Sequence, residues 1–275
     1  MKNKINKPLT YGVLSIAALL VLIPVFWMIL TSFKDITEIV SGKFSILPQH
    51  FTLAAYKNIW KDYPFFTYLR NSLIVVGLST IIALVVSSLS GYGTSRFQFK
   101  GKGGFLAFLL ISQMFPAVML LVPFYNTLKT YNLSDSLTGL TITYVALTLP
   151  FCTWMMLGYF EGIPKDLDEA AKMDGCGPFR TFFQIILPLT LPGIISTTIY
   201  ALVQGWNEYM FAQTLAATQA SKTLPVGIGE MVGYYKIMWN DLMAASVISS
   251  IPLILIYVFL QKYFVSDLSG GAVKG

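Results

Sequence analysis

The sequence predicts an all-α, polytopic membrane protein with six transmembrane helices in a single domain, 1–275. Three observations carry this. Of the 275 residues, 55% are hydrophobic and only 12% are charged, about half the charged share of a soluble domain. A hydrocarbon core of ~30 Å takes about 20 apolar residues per crossing, and the chain supplies such stretches repeatedly. The basic residues lie scattered between those runs rather than in one stripe.

The first span, 10–30, follows Lys2, Lys4 and Lys7 and at first resembles a secretory signal. Its apolar run is too long for a signal's hydrophobic region, and Thr31, Ser32 and Phe33 offer no small-x-small cleavage site, so it should stay attached as a membrane helix. Further apolar runs place spans at 71–94, 104–125, 136–159, 188–212 and 244–264. Pro116, Pro123, Pro150 and Pro252 fall inside spans. Neighbouring helices can satisfy the carbonyls that an intramembrane proline frees, so these predict kinks rather than breaks. Lysine and arginine asymmetry sets the orientation: with the N-terminus inside, the cytoplasmic side holds 11 of the 19 basic residues, including the clusters at 2–7 and 96–102. Both termini and the loop 161–187 are therefore expected in the cytoplasm.

Several function classes drop out. The net charge of +6 does not imply nucleic acid, because no aromatic-interleaved basic patch is present. Cys152 and Cys176 are too few for a disulfide framework, and His50 has no Cys or His companion for a metal site. No cofactor is expected. No G-x-x-x-x-G-K-[ST] occurs, Gly101-Lys102 being followed by glycine, so no phosphate-cradling loop is present. No acidic pair suited to catalysis lies within the spans. The chain reads as a transport component, not an enzyme. The lack of an internal repeat weakens the alternative of a secondary transporter, where paired inverted repeats are frequent.

The loop after the fourth span reads EGIPKDLDEAAKMDGCGPFRTFFQIILP from Glu161 to Pro188. Pro164 suits the first turn of a helix, Asp166, Asp168 and Glu169 oppose the positive end of its dipole, and Gly175 fits its stop. The result is a short helix over 164–174, ~15 Å long at 1.5 Å per residue. Leu167, Ala170, Ala171 and Asp174 share one small, flat face. Pro178 can open a second helix with Phe179, Phe182, Phe183 and Ile186 on its apolar side. A helix, a glycine corner and a second helix make a lever for a soluble partner; an ordinary amphipathic interfacial loop is the alternative.

The run Glu169-Ala170-Ala171, three residues, Gly175, nine residues, Ile185, one residue, Leu187-Pro188 resembles the "EAA" loop of binding-protein-dependent ABC importer permeases. Tyr92-Gly93-Thr94-Ser95-Arg96-Phe97-Gln98-Phe99-Lys100-Gly101, Trp206-Asn207-Glu208-Tyr209 and the tail at 261–275 are similar to the maltose-type sugar permeases. Gly91 and Gly93 stand where alanine is usual there, and Asp267 where glycine is common. The resemblance implies a type I ABC importer permease fold in a bacterial cell membrane. It implies that Glu169, Ala170 and Ala171 meet the ATPase and that Gly175 makes the corner. The partners it implies are an ATPase subunit dimer, a second related permease in a heterodimer, an extracytoplasmic solute-binding protein and a sugar substrate. A polyol, glycerol phosphate or peptide cargo is the alternative within the class.

An ionisable residue inside a span is a functional candidate by default, and Glu208 is the one well inside a predicted span. Steps of three and four along span five put Thr197, Tyr200, Gln204, Asn207 with Glu208, and Phe211 on one stripe. Hydroxyl, amide, carboxylate and aromatic groups together suit a sugar. Such stripes also glue helices together. Gln113 in span three is a companion candidate.

Overall fold

The computed structural model describes residues 7–42, 44–233 and 237–271, with 262–271 as backbone. Lys2, Lys4 and Lys274, counted above for orientation, lie outside the described residues, as does the end of the 261–275 tail. In chain order the helices are α1 (Lys7–Ser32), α2 (Ile36–Val40), α3 (Ala54–Lys61), α4 (Phe65–Arg96), α5 (Lys102–Met114), α6 (Leu121–Thr130), α7 (Leu137–Glu161), α8 (Asp166–Met173), α9 (Pro178–Leu189), α10 (Leu191–Trp206), α11 (Met210–Leu215), α12 (Leu224–Glu230) and α13 (Trp239–Gly271).

Helices α1, α4, α7 and α13 are each long and apolar enough to cross a bilayer. Two bent pairs qualify jointly: α5 with 117–130, turned by 101°, and α9 with α10, turned by 78°. With one span per pair, the described residues hold up to six spans.

Two expected spans are interrupted. At Pro116 the third does not kink but breaks, because proline's ring drives the preceding residue out of the α region and Phe115 sits at φ −72°, ψ 128°. A single tight turn over Ala117–Leu120 then leads into α6. The fifth, expected at 188–212, is three pieces. Thr190 ends α9 with its hydroxyl on the Leu187 carbonyl at 2.8 Å, Pro192 starts α10, and α10 stops at Trp206 before α11 begins. Pro150 and Pro252 do lie inside continuous helices.

The residues pack as two compact units. The first takes the described residues up to Phe65 together with Ile228–Pro252. Here the apolar length of α1 is uncovered, and its end is pinned. Ser32 Oγ lies 2.8 Å from the Tyr56 hydroxyl, and Phe33 stacks on Phe51 at 4.6 Å. Asp241, buried in the first turn of α13, accepts from Asn58 Nδ2 at 3.4 Å.

The second unit takes Phe66–Gly227 and the rest of α13. Helix α7 is its centre and packs on α10, α5 and α11. Ser136 caps it by accepting from the Gly139 amide at 3.0 Å. A Cβ at Gly193 would fall on the Tyr159 ring, so this glycine sets how closely α10 crosses α7. Polar side chains hold the segment before α12: Asn71 donates to the Ala220 and Lys222 carbonyls at 2.8 and 2.9 Å. Asp135 accepts from the amides of Ala217 and Thr218 at 2.9 and 3.0 Å and from Ser221 Oγ. Burial pushes the Asp135 carboxyl up, but these hydrogen bonds outweigh it and hold it below its ordinary value. The knot is thus complete above the usual carboxylate range and loosens as pH falls through that lowered value.

Candidate functional site

The corner after α7 forms as its residue signals dictate. Asp166, Asp168 and Glu169 occupy the first turn of α8 and Lys172 its last, each matched to the dipole end it faces. Pro164 stands just outside, its carbonyl accepting from the Leu167 amide at 3.4 Å. Asp174 ends the helix and Gly175 takes φ +79°. The Cys176 amide then reaches the Ala171 carbonyl at 2.9 Å and the Gly175 amide that of Lys172 at 3.0 Å, the paired bonds of a Schellman stop. Gly177 is extended and Pro178 opens α9, which carries a wide π turn over Phe182–Ile186.

Folding α9 back over α8 splits the face drawn from spacing. Ala171 is only 2% exposed, packed towards the returning helix, while Glu169, Ala170 and Asp174 remain exposed. Its small side chain is thus enclosed within the corner rather than on the open face. On α9, Phe182 and Ile186 join Tyr92, Met156 and Phe160 in a buried cluster, whereas Phe179 and Phe183 stay exposed.

What ties α8 to the rest of its unit is the end of α4. Arg96 Nε pairs with Asp168 Oδ2 at 2.8 Å, the arginine side chain 6% and the aspartate 20% exposed. The Arg96 guanidinium also donates to the Phe160 and Ile163 carbonyls at 2.9 and 3.1 Å, capping the end of α7. The Tyr92 hydroxyl donates to Asp168 Oδ1 at 2.8 Å, and its ring lies 4.8 Å from that of Phe182. One carboxylate thus links α8 to α4, and one guanidinium links both to α7. Sequence reasoning gave Asp168 only a dipole role, since its partner lies 72 positions away. A cleft of about 540 Å³ opens beside this hub, lined by Phe97, Lys165, Glu169, Lys172 and Cys176 among others.

The second site is a cavity of about 570 Å³. Gln113, Tyr200, Gln204, Asn207 and Glu208, the expected path residues, all line it. They meet because helices stop there. Gln113 lies at the end of α5 just before the Pro116 break, and Asn207 ends α10. Broken helices at membrane depth are tolerated where they border a cavity. Tyr200 packs its ring on Phe151 at 4.3 Å, and Asn207 Nδ2 donates to the Val203 carbonyl at 2.8 Å. Glu208 does not dangle into the space. Its two oxygens accept from the Phe211 and Ala212 amides at 2.7 and 2.9 Å, so it caps α11 and holds the cavity's rim. Thr197, on the same predicted stripe, is fully buried and does not line the cavity. Carboxamides, a phenol and an aromatic face around one space can hydrogen-bond hydroxyls and stack on an apolar ring face.

Residues 83–270 match the family described as binding-protein-dependent transport system inner membrane component. The chain is 38% identical over 261 residues to the trehalose/maltose transport system permease protein MalG of Thermococcus litoralis, covering 94% of this chain and 93% of that protein. It is 35% identical over 270 residues to the sulfoquinovosyl glycerol transport system permease protein SmoH of Agrobacterium fabrum, covering 98% and 95%. In three dimensions it aligns with a chain of a bacterial ABC transporter involved in the import of the acidic polysaccharide alginate. There the TM-score is 0.83 at 24% identity, over 94% of this chain and 96% of that one. That likeness is one of fold.

Proposed function

We propose that this chain, which belongs to the binding-protein-dependent transport system inner membrane component family, is the membrane-spanning permease subunit of an ATP-driven sugar importer. It has the all-α, six-span fold of a type I ABC importer permease, and solute reaches it from an extracytoplasmic binding protein. The chain acts as one transmembrane domain, 1–275, beside a second related permease. ATP is hydrolysed in a separate ATPase dimer. Both termini and the corner face the cytoplasm of a bacterial cell. Relatives named for trehalose, maltose and sulfoquinovosyl glycerol support a carbohydrate cargo.

The observation that carries this reading is the corner: an exposed acidic helix braced at its base by Arg96, Asp168 and Tyr92. Glu169 and Ala170 offer the ATPase a charge and a flat contact, Ala171 lets α9 close over α8, and Gly175 turns the chain. A push on α8 passes through Asp168 and Arg96 into α4 and α7, and through α9 into α10. Helix α10 carries Tyr200 and Gln204 into the cavity, so displacement of the corner reshapes the space where sugar passes, with Gln113, Asn207 and Glu208 on its other walls.

The test uses the assembled importer. Overpacking a buried contact costs about 1–3 kcal/mol, roughly five- to 150-fold in affinity. Ala170→Leu should insert normally in the membrane and weaken ATPase co-purification by that factor, and Glu169→Ala should insert normally and weaken it by removing a charged contact, with uptake falling in step in both. Normal ATPase binding and uptake in both variants would overturn the assignment.

A further inference from the structure

The first unit holds a cavity of about 350 Å³ that transport leaves unused, within the size range of small-ligand sites. It opens where the apolar length of α1 ends. Trp27 and Thr31 come from the last turns of α1, Lys34 from the turn after it, Glu38 from α2, Phe44 from the segment beyond, and Trp239 from the start of α13. Trp27 stacks on Phe44 at 5.5 Å with planes 9° apart. The Lys34 ammonium lies 4.7 Å from the Trp27 ring centre, in cation–π contact.

The polar groups here are not spent. Lys34 is 4% exposed, yet among the described residues its three N–H groups have one hydrogen-bond acceptor, the Ser45 carbonyl. The Thr31 hydroxyl, buried on the same wall, has no hydrogen-bond partner among the described residues. Glu38 brings the opposite charge, accepting from Ser45 Oγ at 2.6 Å and from the Gln49 amide at 3.1 Å. A buried ammonium with idle donors calls for an anionic oxygen. A carboxylate in a cavity that also presents the open Trp239 ring suits a cation that donates hydrogen bonds.

Both requirements are met by one zwitterion bearing phosphate and ammonium. The cavity adjoins the end of α1, a helix apolar and long enough to cross a bilayer, which places it where acyl chains end and headgroups begin. Its tryptophans match residues enriched at headgroup level. We propose that this cavity binds the headgroup of a phosphatidylethanolamine-type lipid, phosphate on Lys34 and Thr31, ammonium between Glu38 and Trp239. A purely anionic headgroup sets its charge against Glu38 with no cation to offset it, and a neutral sugar brings Lys34 no anionic oxygen.

The intact importer, purified in detergent, is exchanged with phosphatidylethanolamine, phosphatidylglycerol or phosphatidylcholine of matched chains, and retained lipid is counted by native mass spectrometry. The parent should retain phosphatidylethanolamine selectively, and Lys34→Gln should lose it. Glu38→Gln should cut the preference over phosphatidylglycerol at least about tenfold, a shift of about 1.4 kcal/mol. Trp239→Ala, at a 41% exposed position, should weaken retention and serves if Lys34→Gln fails to fold. Equal retention of the three lipids, unchanged preference in both Glu38→Gln and Trp239→Ala, or displacement of the lipid by free sugar would each overturn the proposal.

Discussion

Arg96 and Asp168 show what a single pair does in this chain. Removing one member of a shielded pair leaves the other uncompensated, and the exposure of Asp168, at 20%, places the cost near that of an unsatisfied polar group, about 1–3 kcal/mol. Arg96 has more to lose, since it also holds the Phe160 and Ile163 carbonyls. Thermal unfolding of the purified complex should therefore rank Arg96→Ala below Asp168→Ala, and Asp168→Ala below the parent. The double variant should lose less than the sum of the two single losses, because the Arg96–Asp168 contact is shared between them. An Asp168→Ala protein that melts with the parent would refute the bracing role. Gly175 was legible beforehand, as a helix stop needing a left-handed residue has few other candidates. Asp168 was not, because a dipole-matched acid looks the same with or without a distant partner.

At the level of elements, the close crossing of α7 and α10 depends on a missing side chain. Tyr159 occupies the space a Cβ at Gly193 would take, and its hydroxyl lies 3.1 Å from Ser196 Oγ one turn further along α10. Gly193→Val should force the helices apart and cost about 1–3 kcal/mol. Gly77→Ala is the contrast: nothing lies within 4 Å of a Cβ there, and alanine's better helix propensity should leave stability unchanged or raised by up to about 1 kcal/mol. Melting of both variants checks the pair, and equal behaviour would show that the crossing tolerates a wider gap. The same level holds the largest departures from expectation. Apolar length alone placed spans three and five, whereas Pro116 and Thr190 decide where they bend, and the Glu208 carboxylate makes α11 a separate helix.

For the whole molecule, orientation is the property on which the transport reading turns. Cys176 lies at the corner and is half-buried, while Cys152 is buried in α7. In intact cells expressing this chain without its ATPase, a membrane-impermeant thiol reagent should leave Cys176 unlabelled. The reagent should reach it once the membrane is opened, with Cys152 protected in both cases. Labelling in sealed cells would invert the topology and detach the corner from any cytoplasmic ATPase.

Composition and local pattern determined what depends on near neighbours in the chain. Apolar runs long enough for a bilayer marked six membrane segments, and acids, alanines and glycine at short spacing marked α8 and its stop. Even the polar residues of the 570 Å³ cavity were legible, because a polar group in an apolar run is conspicuous wherever it ends up. Only the tertiary structure decided which of these groups meet. It turned Ala171 inward, paired Asp168 with Arg96, bound both Glu208 oxygens to backbone amides and left Lys34 buried with donors to spare. The reason is physical: helix propensity and hydropathy act over a few residues, but a side chain's partner is set by how distant helices cross, and those crossings follow from packing the whole chain at once.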